Sequence, residues 1–142
     1  MAGESAAAMG AYEAALGDAG EPPCAAEARV AAGGLALQLG DAAKAVRLLD
    51  GATGAVARTN HAFALLGLGR PAEALADFEG VLVIEPVNDE ATFGRGLCLV
   101  AQGRPVEAEV AFDTLLARSP HHVSAPAARR ERERLRAREG GR

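Results

Sequence analysis

Two stretches of this chain are near copies of one another. Residues 69–86 read GRPAEALADFEGVLVIEP, and 34 positions later residues 103–120 read GRPVEAEVAFDTLLARSP. Gly69, Arg70 and Pro71 recur as Gly103, Arg104 and Pro105, while Glu73, Ala74, Phe78 and Pro86 recur as Glu107, Ala108, Phe112 and Pro120. A fixed period of this length marks stacked supersecondary units, each burying its apolar face on a neighbour. No segment alternates with period two, so no sheet is expected.

The breaks between apolar stretches divide the rest of the chain in the same manner. A first helix is expected over 4–17, with Tyr12 and Leu16 on one face, broken by Gly17, Gly20, Pro22 and Pro23. Its spacing of Ala8, Tyr12, Ala15 and Leu16 echoes Ala74, Phe78, Val81 and Leu82, which suggests a leftover half-repeat or a cap. Helices follow over 26–39 and 41–50, the latter turning Ala45, Leu48, Leu49 and Ala52 inward before Gly51 and Gly54 end it. The next pair covers 55–68 and 71–84. Gly69 suits a left-handed C-terminal cap, and Pro71 sits where a first-turn proline forfeits no hydrogen bond. Glu73 stands at the helix end that favours a negative charge. Pro86 stops the helix, and Asn88 or Asp89 can cap the following one. The last pair spans 90–102 and 105–118, closed by Pro120. Ser124 then offers an N-cap for a final helix over 125–138, where Glu131/Arg134 and Glu133/Arg136 stand at i, i+3.

Composition agrees with helices in close contact. Of the 142 residues, 49% are hydrophobic but only 4% aromatic, with no Trp. The length suits one modest domain. No window approaches the apolar run of a membrane span. The N-terminus has no basic residue before Arg29 and carries Glu4 and Glu13, unlike a secretory signal or transit peptide, so a cytoplasmic location is expected. The net charge of −4 hides an asymmetry: residues 129–142 hold seven Arg and three Glu, whereas the rest holds eight basic and sixteen acidic residues. Cys24 and Cys98 cannot make a metal site alone, and Cys98 falls in an apolar helical pattern where a thiol behaves as a small hydrophobe.

The pattern resembles the tetratricopeptide repeat, a helix–turn–helix unit pairing small and large residues between its two helices. Gly96, Leu99, Ala108, Phe112 and Pro120 stand at the family's positions in the last repeat. The middle repeat offers Ala62, Leu65, Ala74, Phe78 and Pro86; the first offers Gly33, Ala36, Ala45, Leu49 and Ala52, without a closing proline. The physical logic is that a small residue lets one backbone approach while a large one fills the space beside it. The chain departs from the family pattern at Arg29, Arg58 and Thr92, where an aromatic is usual, and at Ala32, His61 and Arg95, where leucine is. Arg95 and His61 can snorkel or bridge to acidic neighbours. The resemblance implies an all-α fold, a right-handed α-solenoid of about three repeats (26–54, 55–88 and 89–120). A cap or half-repeat with its linker (1–25) and a charged capping helix and tail (121–142) would flank them.

The same resemblance implies a concave groove lined by the first helix of each repeat, receiving a peptide or helix of a partner protein. Its lining would be Val30 and Leu37, then Val56, Asn60 and Phe63, then Glu90, Phe93, Leu97 and Val100, with Glu27, Gly34 and Gly67 alongside. Phe63 and Phe93 are the natural anchors; the competing reading packs them against a flanking helix of the chain. The family's clamp for a chaperone's C-terminal carboxylate has one matching residue here, Asn60. Val30, Gly34, Glu90 and Gly94 fill its other places, and Glu90 would repel the carboxylate. Bacterial type III secretion chaperones of one class resemble this size and design, with an N-terminal helix used for dimerisation, which leaves a homodimer open. No catalytic constellation, phosphate loop or metal-ligand set is apparent among His61, His121, His122 and the cysteines, so neither an enzyme nor a cofactor is expected. His121 and His122 follow a helix end, where imidazoles often meet the last carbonyls. The Arg-rich end reads first as a polar cap. A basic arm for RNA or an acidic partner is the alternative, disfavoured by its three Glu and by the absence of aromatics.

Overall fold

The computed structural model describes residues 2–17 and 25–141. All regular structure among them is α-helical: α1 (Ala2–Gly17), α2 (Ala25–Gln38), α3 (Ala42–Leu49), α4 (Ala55–Gly67), α5 (Pro71–Ile84), α6 (Asp89–Ala101), α7 (Pro105–Arg118) and α8 (Ala125–Gly140). The bounds follow the sequence punctuation within two residues at every helix end. The chain forms two compact units, Met1–Gly69 and Arg70–Arg142, and the boundary falls at a turn inside the repeat expected over 55–88. Cys24, Gly20, Pro22 and Pro23 lie outside the described residues.

Each helix starts and stops for a local reason. Gly40, Gly69 and Gly103 take φ of 79°, 73° and 69° at the ends of α2, α4 and α6, a left-handed conformation that costs a glycine little. Pro71 and Pro105 open α5 and α7. Asn88 caps α6, its Oδ1 accepting the Ala91 N–H at 2.9 Å, and Asp41 caps α3 through the Lys44 N–H at 2.9 Å. Ser124, expected to cap α8, makes no side-chain cap bond. Its own N–H instead donates to His122 Nδ1 at 3.2 Å. His122 thus turns its Nδ1 toward the following turn.

The first unit packs α1 on α2, α2 on α3 and α3 on α4, with α2 also touching α4. Its core is Met9, Ala32, Ala36, Ala45, Leu49, Ala57 and Ala64, with Val30, Leu35, Leu37, Val46, Leu48 and Ala52 packed against it. Met9 supplies the inward side chain of α1, whereas Ala8 is exposed. The side chains of Tyr12, Ala15 and Leu16, the rest of that expected face, lie outside the described residues.

The second unit packs α5 on α6, α6 on α7 and α7 on α8. Phe78 and Phe112, both fully buried, meet glycines on α6. A Cβ built at Gly94 would lie 2.1 Å from the Phe78 ring, and one at Gly96 would lie 2.5 Å from the Phe112 ring. The small-beside-large logic thus operates on both sides of one helix.

Candidate protein-interaction faces

Helix α6 carries the expected groove residues of the second unit. Phe93, Leu97 and Val100 stand at i, i+4 and i+7 and are half-buried, and Glu90 is exposed. Between them Ala91, Gly94, Cys98 and Leu99 are sealed into the core. Phe93 rests on Phe112 with ring centroids 6.0 Å apart and planes tilted by 50°, within the range of favourable aromatic contact. Its inner edge is therefore fixed from below. Gly94 is no groove position, because the Phe78 ring fills the space its side chain would take.

In the first unit Val56 is 69% exposed, while Asn60 and Phe63 on the same helix are half-buried. Val30 and Leu37 pack against the core to which Met9 of α1 contributes. Asn60 Nδ2 lies 3.3 Å from where a Cβ of Gly34 would be, so the bare glycine lets the amide approach the α2 backbone.

The charged groups form clasps rather than a reactive centre. Arg118, at the end of α7, donates to Asp89 Oδ1 at 2.5 Å and to Thr92 Oγ1 at 3.1 Å. Burial pulls the Asp89 carboxyl up, but hydrogen bonds from Ser119 and Arg118 and the Arg118 and His122 charges outweigh it and hold it below the ordinary value. Arg70 and Arg104 each clasp the glutamate three residues on, Glu73 and Glu107, at 2.6 Å. Arg95 reaches Glu79 at 3.4 Å, as its place on the helix suggested. Burial pushes the Cys98 thiol up to about 11, leaving it a protonated, inert core residue. No group of three or more metal-ligating side chains occurs among the described residues.

The C-terminal helix differs from expectation in one pairing. Glu131 and Arg134 meet at 2.8 Å, but Arg136 leaves Glu133 and crosses to Glu109 and Asp113 of α7. Arg132 joins it on Asp113 at 2.9 Å. No described helix is long and apolar enough to cross a membrane.

Helical hairpins built on one recurring small–large contact define a helical-repeat protein of the α-solenoid class. Residues 59–123, a little under half of the chain, match the tetratricopeptide repeat model. The fold of the chain is similar to that of a tetratricopeptide repeat protein from Parabacteroides merdae, at 23% identity and a TM-score of 0.77, over 96% of this chain and 55% of that one. The chain thus spans about half the length of that relative. The Arabidopsis OM64 TPR domain is similar at 27% identity and a TM-score of 0.71, over 80% of this chain and 95% of that one. The second TPR domain of human RPAP3, solved in complex with an HSP70 peptide, is similar at 20% identity and a TM-score of 0.67, over 76% of this chain and 92% of that one. No curated protein matches the sequence.

Proposed function

We propose that the chain is a non-catalytic binding module whose first-helix faces accept an apolar peptide or helix of another protein. The observation that carries this reading is the half-buried stripe Phe93, Leu97 and Val100, interleaved with core residues along α6. Phe93 is held from below by Phe112, so this apolar area has little entropy left to lose on binding. In the first unit the residues proposed for the same role are Val30, Leu37, Val56, Asn60 and Phe63, of which Val30 and Leu37 also pack against the core.

The HSP70 peptide bound by the human RPAP3 domain is not the ligand expected here. A carboxylate clamp needs cations on these faces, and at its expected places Val30 is apolar, Gly34 has no side chain and Glu90 is negative. The expected ligand is apolar at its centre and carries no carboxylate toward Glu90.

The test selects peptides from a random library against the full chain, then measures their affinity for F63A, F93A and the V83D control. Loss of about tenfold or more in one Phe variant, with V83D unchanged and melting still cooperative, is the expected result. Equal affinity for all variants would overturn the groove reading.

A further inference from the structure

Helix α8 carries its arginines on two opposite faces. Arg132 and Arg136, one turn apart, turn toward α7 and are held by Asp113 and Glu109, themselves one turn apart. Arg130, Arg134 and Arg138 repeat at the same interval on the opposite side, and all three are exposed. Arg134 shares the neighbouring Glu131; Arg130 and Arg138 have no ion pair among the described residues.

The repeat register explains why Arg130, at the head of this stripe, is open. Shifted by 34 positions, the buried Ala91 and Gly94 of α6 correspond to Ala125 and Ala128 of α8, which are also buried. Gly96 and Leu99, which on α6 belong to the core, correspond to Arg130 and Glu133, which are exposed. Thus α8 docks on α7 as the first helix of a further repeat would, and charged residues stand where that repeat's second helix would pack.

We propose that the Arg130, Arg134 and Arg138 stripe is a docking surface for an acidic helix of a partner protein with carboxylates spaced one turn apart. The chain contains the template for the contact: Glu109 and Asp113 on α7 satisfy the opposite stripe with that spacing. A guanidinium presents a planar fork suited to a carboxylate pair. A polar cap needs only solvation on its outer side, and any hydrophilic residue would provide it. Nucleic acid is the less favoured partner, because Glu131, Glu133 and Glu139 interrupt the helix, no aromatic accompanies the arginines, and the chain's net charge is −4.

The experiment uses the full chain and three labelled probes. One is a helical alanine-based peptide with Glu at i, i+4 and i+8; another has the same three Glu on different faces; the third is a single-stranded oligouridine. Fluorescence anisotropy at low and moderate salt is expected to give salt-sensitive binding of the first peptide, at least fivefold tighter than the second. R130Q/R134Q/R138Q should weaken it about tenfold or more without changing the melting temperature. Equal affinity for the two peptides, unchanged binding by the triple variant, or tighter binding of oligouridine than of the first peptide would each overturn the proposal.

Discussion

The two units solve the same packing problem with knobs of different size. In the second, Phe78 and Phe112 press on Gly94 and Gly96; in the first, the leucine Leu49 presses on Gly33, where a Cβ would come within 2.4 Å of it. The rest of the first core is mostly alanine, with Met9 contributed by α1. Its α3 has 8 residues against 14 in α5 and in α7, a difference of about 9 Å in helix length at 1.5 Å per residue. A smaller knob and a shorter rod go together, since less apolar surface is available for the helices to share. The lesson is that both units keep a glycine-sized hole while the residue that fills it changes.

Emptying the hole's occupant is the strongest way to break the comparison. Phe112→Ala should cost about 3–5 kcal/mol and Leu49→Ala about 2–5 kcal/mol. Hydrogen exchange would assign each loss, with protection falling in α6 and α7 for the first and in α2 and α3 for the second. If Leu49→Ala left α2 and α3 fully protected, the two contacts would not be equivalent.

Filling the hole gives a smaller effect that sharpens it. Gly94→Ala drives a methyl into a flat, stiff ring, and about 1–3 kcal/mol is expected. Gly33→Ala meets Leu49 Cγ and both methyls, an aliphatic side chain that must shift about χ1 but is less stiff than a ring, and alanine's helix propensity returns up to about 1 kcal/mol. Urea midpoints should therefore fall further for Gly94→Ala than for Gly33→Ala. The reverse order would mean that the leucine is the more tightly held knob.

These contacts differ in how far they are legible in the sequence. The turns are legible because each signal is local: Gly69 and Gly103 demand a backbone that proline then carries into the next helix, and Asn88 precedes the helix it caps. The small and large positions are legible from the 34-residue repeat. Which glycine receives which phenylalanine is not, because it depends on how helices cross. Gly94, set at a clamp position by the family resemblance, is occupied from beneath by Phe78. Long charged side chains are the least legible: Arg136 has Glu133 at ideal spacing, yet crosses to Glu109 and Asp113, because a guanidinium reaches as far across a helix pair as along one helix. The groove residues fall between these cases. Val30 and Val56 are both expected in the groove, but one packs on the core and the other is largely exposed.

The smallest effect separates the units by acid. In the second, the helix ends are clasped by Arg118 on Asp89, a group that titrates. In the first, Arg29 donates to the Asp50 backbone carbonyl at 3.4 Å, an acceptor that does not. The Asp89 carboxyl is held below its unfolded value of about 3.9. Its charge therefore stabilises the folded state fully above that value, and the contribution is lost as pH falls through the lower folded one. Asp89→Asn keeps an acceptor for Arg118 but removes the charge, so about 1 kcal/mol should be lost at neutral pH. The gap between wild type and variant should close as the solution is acidified below pH 4. Urea unfolding of both proteins at neutral and acid pH measures that gap directly, because every other carboxylate titrates in both. A gap that stays constant would show that Asp89 acts through shape rather than charge, and the two clasps would then be alike in kind.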